Sequence, residues 1–159
     1  MYRKGDLIVG ITLHNKVSYQ ISAIKPLRIA SSTFSLIINR TPSQFLHEIV
    51  LVDDKSEMQH LHEPLDEELR KPYYQGKVKV VRNKQREGLI RARNIGAVFA
   101  SGEVLVFLDA HCEVGYNWLP PLLAPIYENP KTLSAPIIDG IRWDDFSIYS
   151  NYGSGYKRG

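Results

Sequence analysis

The stretch Asp109-Ala110-His111 holds the residue types best suited to chemistry in this chain. It closes an apolar run, Val104-Leu105-Val106-Phe107-Leu108, that reads as a buried strand between Gly102 and a polar loop. In extended backbone, side chains two apart point the same way. The Asp109 carboxylate and the His111 imidazole should therefore emerge together at the strand's C-terminal end, where open α/β sheets bind ligands. An oxygen and a nitrogen ligand side by side suit a divalent cation of the Mn2+ type, which can also hold a diphosphate. The residues alone leave a plainer reading open, with Asp109 in a turn and His111 not a ligand. Cys112 alternates away from the pair and is expected to be packed. Glu113 continues the alternation as an outer or exposed carboxylate.

Two further clusters carry charge where an anionic ligand could use it. Asp53-Asp54 follows the apolar run Glu48-Ile49-Val50-Leu51-Val52. Carboxylates at such a tip accept hydrogen bonds from a ribose or a base N–H, assist a metal, or cap a turn before Ser56. Arg86-Glu87-Gly88-Leu89-Ile90-Arg91-Ala92-Arg93 places Arg86 just before a helix N-terminus, a combination that favours phosphate. Arg91 and Arg93 lie on different faces of that helix and read as solvated surface charges. Trp118 and Trp143 read as core or rim anchors. Asn39-Arg40-Thr41 is an N-glycosylation sequon, meaningful only in the secretory pathway.

The elements that must position these residues alternate. Leu7 to Leu13 predicts a strand. Ser31 or Ser32 caps a helix through Ile38, with Phe34, Ile37 and Ile38 on one face, and Thr41-Pro42 ends it. After the strand Glu48–Val52, Ser56 is expected to cap an acidic helix reaching about Arg70, with Pro64 as an interruption. Lys77 to Val81 is a short strand. Gly88 to Ala100 is helical by the spacing of Leu89, Ile90, Ala92, Ile95, Val98 and Phe99, and Gly102 closes it. Val104–Leu108 follows, then a helix over Trp118–Tyr127 with Pro120 and Pro121 near its start, and a last strand over Leu133–Ile138. Such alternation implies a mostly parallel sheet flanked by helices.

Composition narrows the classes. The 159 residues suffice for one domain with a core, and 43% hydrophobic with 23% charged content excludes wholesale disorder. A net charge of +3 does not call for nucleic acid and is compatible with a small anionic ligand. The single cysteine excludes an internal disulfide and points towards a reducing compartment. No apolar run is long enough to span a bilayer, and Met1–Asp6 is not followed by an adequate signal-peptide core. Neither G-x-G-x-x-G nor G-x-x-x-x-G-K-[ST] occurs, so both the dinucleotide fingerprint and the P-loop are excluded.

The motifs converge on a family. Glu48-Ile-Val-Leu-Val-Asp-Asp54, Arg86-Glu-Gly-Leu-Ile-Arg-Ala-Arg93, Phe107-Leu-Asp-Ala-His-Cys-Glu113, Trp118-Leu-Pro-Pro-Leu-Leu123 and Ala135-Pro-Ile-Ile-Asp139 occur in order. Together, over about Ser32 to Phe146, they resemble the polypeptide N-acetylgalactosaminyltransferases. The resemblance implies a glycosyltransferase A-type fold: an α/β, Rossmann-like, mostly parallel sheet flanked by helices. It also implies retaining transfer of GalNAc from UDP-GalNAc to Ser or Thr of proteins, with Mn2+ as cofactor and the Golgi lumen as compartment. By the same resemblance Asp109 and His111 match the D-x-H metal motif, and Asp54 the acid that contacts uracil. Arg86 matches an arginine lining the nucleotide site, and Ala110 lies where backbone approaches the sugar-nucleotide. Thr12, in Ile11-Thr12-Leu13-His14-Asn15-Lys16, matches a segment that grips the uridine.

Departures from the family pattern shape the remaining expectations. Lys16 stands where the family has Glu, and Val17–Ala30 replaces the expected helix. The sequence divides into a divergent segment, 1–31, a partial nucleotide-sugar-binding domain, 32–149, and a loose tail, 150–159. The family's third metal ligand, acceptor-binding half, lectin domain and membrane anchor have no counterpart in these residues. The 159-residue chain alone is therefore expected to lack transferase activity and to expose apolar surface. The alternatives are a catalytically inactive UDP- and Mn2+-binding module, and a cytosolic α/β protein preferring another nucleotide.

Overall fold

A computed structural model describes residues 34–74, 76–109 and 112–150, together with the backbone course of residues 7–13. The chain forms two compact units, Met1–Trp118 and Leu119–Gly159. The first holds a four-stranded parallel sheet of β1 (Leu7–Leu13), β2 (Leu46–Asp53), β3 (Val78–Arg82) and β4 (Val104–Asp109). Its order is β3-β2-β1-β4. The chain thus steps outward from β1 through β2 to β3, then returns to the other side of β1. Such a reversal opens a crevice at the carboxyl ends of the strands.

The expected α/β architecture is present, and most predicted elements fall where the patterns put them. Residues 34–40 form helix α1, with Phe34 and Ile37 fully buried, and it stops before Pro42. The residues proposed to cap it, Ser31 and Ser32, lie outside the described residues. β2 is the central strand: Ile49, Val50 and Leu51 are fully buried and Val52 nearly so, as a strand covered on both faces requires. Helix α2 (Glu63–Leu69) starts later than predicted, after a 3-10 turn at Gln59–Leu61. Pro64 does not interrupt it. It sits in the first turn, where its missing N–H has no partner to lose. Ser56 does not cap this helix. Its amide donates to Asp53 Oδ1 at 2.8 Å, which closes the turn after β2.

Helix α3 (Leu89–Phe99) packs on β1 and β2, but not with the face its apolar spacing suggested. Ala92 and Gly96 are the buried positions; Ile90, Val98 and Phe99 are exposed. Small residues win this face because the helix lies close to the sheet. Ala92 joins Val50 and Val52 in one core cluster, and a Cβ on Gly96 would stand 2.8 Å from Val52 Cγ2. Gly96→Ala is therefore expected to destabilise the protein by about 1 kcal/mol. Overpacking, at ~1–3 kcal/mol, outweighs the gain in helix propensity of ~1 kcal/mol. Urea unfolding of the two proteins checks this; a more stable variant would mean that helix and sheet can part without loss. The helix ends at Ala100, in extended backbone, rather than at Gly102.

β4 departs from the expected buried strand. It alternates, with Leu105 and Phe107 exposed, so among the described residues one of its faces is left uncovered. The second unit contains α4 (Pro120–Glu128), with Pro120 and Pro121 in its first turn as predicted, and a two-residue hairpin of β5 (Gly140–Ile141) and β6 (Ile148–Tyr149). Residues 133–138 form no strand; with Pro136 among them, their apolar content alone does not make one. Trp143 is not a core anchor, being 89% exposed.

Candidate functional site

The carboxyl ends of the strands bring the sequence-predicted acids to one edge. Register aligns Thr12 of β1 with Val52 of β2 on one side and with Asp109 of β4 on the other, and Leu13 with Asp53. Asp54 therefore follows directly from β2 at the same edge as Asp109, with β1 between them. Ala110 and His111 lie outside the described residues.

Asp54 is almost completely buried and organises the loop ahead of α3. Its Oδ1 accepts from Asn83 Nδ2 at 2.8 Å and from the Glu87 amide at 2.8 Å, and its Oδ2 accepts from the Gly88 amide at 2.9 Å. The loop can present two consecutive amides because Gly88, the residue before α3, takes φ 82°, a region closed to most side chains. Arg86 sits on this loop with its side chain exposed. Asp53 is also buried: beyond its bond to Ser56 it faces Arg82 Nε at 3.6 Å. Arg82 in turn donates to the Leu61 carbonyl at 3.0 Å and to Asp66 Oδ1 at 2.9 Å. The two adjacent aspartates thus fasten different loops, Asp53 that leaving β2 and Asp54 that entering α3.

Asp109, the last residue of β4, is half-exposed. Its Oδ1 accepts from Arg93 Nη2 of α3 at 2.8 Å. Sequence reasoning treated Arg93 as a surface charge and missed this contact. Arg91 does fit that reading, being exposed and paired only loosely with Glu87 at 3.4 Å. Both arginines adjoin Ala92, so local spacing did not separate them; the contact depends on where α3 passes the end of β4. Downstream, the Cys112 amide donates to the Asp109 carbonyl at 3.0 Å. Burial, above all, pushes the Cys112 thiol up, so it remains a packed neutral group, as expected. Glu113 is exposed. The chain beyond is tied back to the end of α1: Arg40 donates to the Val114 carbonyl at 2.6 Å and lies over the Tyr116 ring at 4.6 Å. Trp118 Nε1 donates to Thr41 Oγ1 at 3.2 Å.

Among the described residues, no group of three His, Cys, Asp or Glu side chains could hold a metal. The donor chemistry at Asp109 nonetheless fits a divalent cation of the Mn2+ type: an accessible carboxylate with one oxygen secured by a guanidinium, and an imidazole two residues on in the sequence.

A parallel sheet with this strand order, flanked by helices and with acids at its carboxyl edge, is an α/β fold of the kind that takes ligands at that edge. The profile of glycosyl transferase family 2 matches residues 31–158, and the chain belongs to that family. Its relatives there are polypeptide N-acetylgalactosaminyltransferases. It is 54% identical over 122 residues to N-acetylgalactosaminyltransferase 7 of Drosophila melanogaster, covering 77% of this chain and 20% of that protein. It is 56% identical over 109 residues to inactive polypeptide N-acetylgalactosaminyltransferase-like protein 5 of Macaca fascicularis, covering 69% and 24%. The crystal structure of GalNAc-T7 with UDP, GalNAc and Mn2+ superposes with a TM-score of 0.76 at 44% identity, covering 86% of this chain and 23% of that one. The chain thus spans about a fifth of the length of the curated relatives it matches. No helix among the described residues is long and apolar enough to cross a membrane.

Proposed function

We propose that this chain is the donor-binding part of a polypeptide N-acetylgalactosaminyltransferase, holding UDP-GalNAc while GalNAc passes with retention to a Ser or Thr hydroxyl of a protein. One observation carries the reading: the Asp54-fastened loop with Arg86, and the Asp109 carboxylate, lie at the same sheet edge on either side of β1. The likeness to GalNAc-T7, whose crystal structure contains UDP, GalNAc and Mn2+, supports it. Thr12 and Asp54 serve the uridine end. Arg86 brings a guanidinium to the anionic end, where the N-terminal amides of α3 favour negative charge. By the family resemblance, Asp109 and His111 would hold Mn2+, and Ala110 would belong to the sugar-nucleotide site. When bound, the cation supplies Lewis-acid neutralisation of the diphosphate leaving group. The compartment is the Golgi lumen, where relatives of this kind act on proteins.

The test is a thermal shift of the 159-residue chain with UDP, with and without Mn2+. Ligand at a hundredfold excess over its Kd stabilises by ~2.7 kcal/mol, about 5–10 °C in a chain of this size. That shift is expected with UDP and Mn2+ together, and is expected to vanish in Asp109→Ala. A shift independent of Mn2+, or a larger one with NAD or ATP, would overturn the reading. The likeness to a relative named inactive supports a second reading, a binding module without turnover. It predicts the same shift but no GalNAc on a Ser/Thr peptide, even from a longer protein that contains these residues.

A further inference from the structure

We propose that Arg93 is the positioning residue of Asp109: its guanidinium holds Oδ1 so that the second carboxylate oxygen is presented to the cation. The inference rests on the reading of Asp109 as a metal ligand. Three observations carry it. Arg93 Nη2 lies 2.8 Å from Asp109 Oδ1, while both side chains remain partly exposed. Arg93 also springs from a helix whose place is over-determined. Its neighbour Ala92 is buried in the core cluster, Gly96 lies tight against Val52, and the loop entering the helix is fastened to Asp54. Finally, Arg91 on the same helix is far more exposed and reaches only Glu87, so proximity to the sheet edge singles out Arg93.

The chemistry favours positioning over mere charge cancellation. A carboxylate at a strand end is free to rotate about its Cα–Cβ and Cβ–Cγ bonds. A guanidinium donor fixed on a neighbouring helix removes that freedom, as partners behind metal ligands generally do, and losing such a partner weakens metal binding by roughly 10–100-fold. Simple charge cancellation predicts the opposite sign: removing the cationic side chain would let Mn2+ bind more tightly.

The experiment is Mn2+ titration of the 159-residue chain in the presence of UDP, followed by the electron paramagnetic resonance of free and bound Mn2+. Arg93→Ala is expected to weaken Mn2+ binding by about tenfold or more. Arg93→Lys, which keeps one donor, should recover part of the loss, and Arg91→Ala should bind as the unaltered chain. UDP affinity measured without Mn2+ should stay the same in all of them. Should Arg93→Ala fail to fold, as far-UV circular dichroism would show, Arg93→Gln carries the same expectation. Unchanged or tighter Mn2+ binding in the Arg93 variants, while Asp109→Ala abolishes it, overturns the positioning role alone. Full Mn2+ binding by Asp109→Ala overturns both this role and the reading of Asp109 beneath it.

Discussion

Asp54→Ala is expected to cost about 3–5 kcal/mol of stability and to release the loop that carries Arg86. The carboxylate accepts three donors, two of them consecutive backbone amides, in a setting where it is almost wholly buried. Hydrogen bonds to a charged group contribute ~1.5–3 kcal/mol each, and donors left unpaired beneath the surface cost ~1–3 kcal/mol. The Glu87 and Gly88 amides are only half-buried, so water recovers some of the loss and the total falls below the sum. Asp54→Asn, which keeps the shape but turns an amide N–H towards one donor, should cost roughly half as much. Urea unfolding measures the stability, and hydrogen exchange at Glu87 and Gly88 measures the loop. Slow exchange of both amides in Asp54→Ala would mean that the loop is held by something else, and that Asp54 acts on ligand alone.

Glu48→Gln should flatten the acid limb of the stability curve. Glu48 lies at the other end of β2, with its side chain nearly inaccessible. The Ser101 amide donates to its Oε1 at 2.6 Å and the Ser101 hydroxyl at 2.8 Å, and Lys79 pairs with Oε2. Burial is the largest single influence and pushes the carboxyl up. The donors from Lys79 and Ser101 together outweigh it, and the group ends below its ordinary 4.5. A carboxyl held low in the folded state stabilises it fully above the unfolded value, and that contribution fades as pH falls through the folded one. The protein should therefore lose stability below about pH 4.5 in part through Glu48, and the variant should lose less there. At pH 7 the variant is expected to be weaker by about 2–3 kcal/mol, mostly from the two Ser101 bonds, since Lys79 is half in solvent and its ion pair is screened. Equal acid slopes in the two proteins would remove Glu48 from the acid response.

These contrasts show what the residue pattern conveys and what it withholds. Strand β1 was legible to the residue and β2 nearly so, because β-branched runs bounded by polar residues have few other uses. The two acidic tips were legible for the same reason: they end the apolar runs of β2 and β4. The face of α3 was not, since hydrophobic spacing marks a stripe of large residues whereas close helix–sheet contact selects small ones, here Ala92 and Gly96. Residues 133–138 misled because apolar content is necessary but not sufficient for a strand; ladder pairing must supply the rest, and these residues belong to no strand. The Arg93–Asp109 contact was illegible because it depends on where a helix passes the end of a strand that follows it in sequence, which no local spacing encodes.

The position of β1 between the two acidic tips sets a length. Neighbouring strands are ~4.8 Å apart, so the ends of β2 and β4 are separated by roughly 10 Å whatever the loops do. On the proposed reading, that spacing matches the reach of a nucleotide from its base to its first phosphate. A sheet of this order is therefore a caliper: one jaw is the end of β2, the other the end of β4, and its opening is fixed by backbone hydrogen bonds rather than by any side chain. Substitutions at the tips can change the groups presented at each end, but not the distance between them.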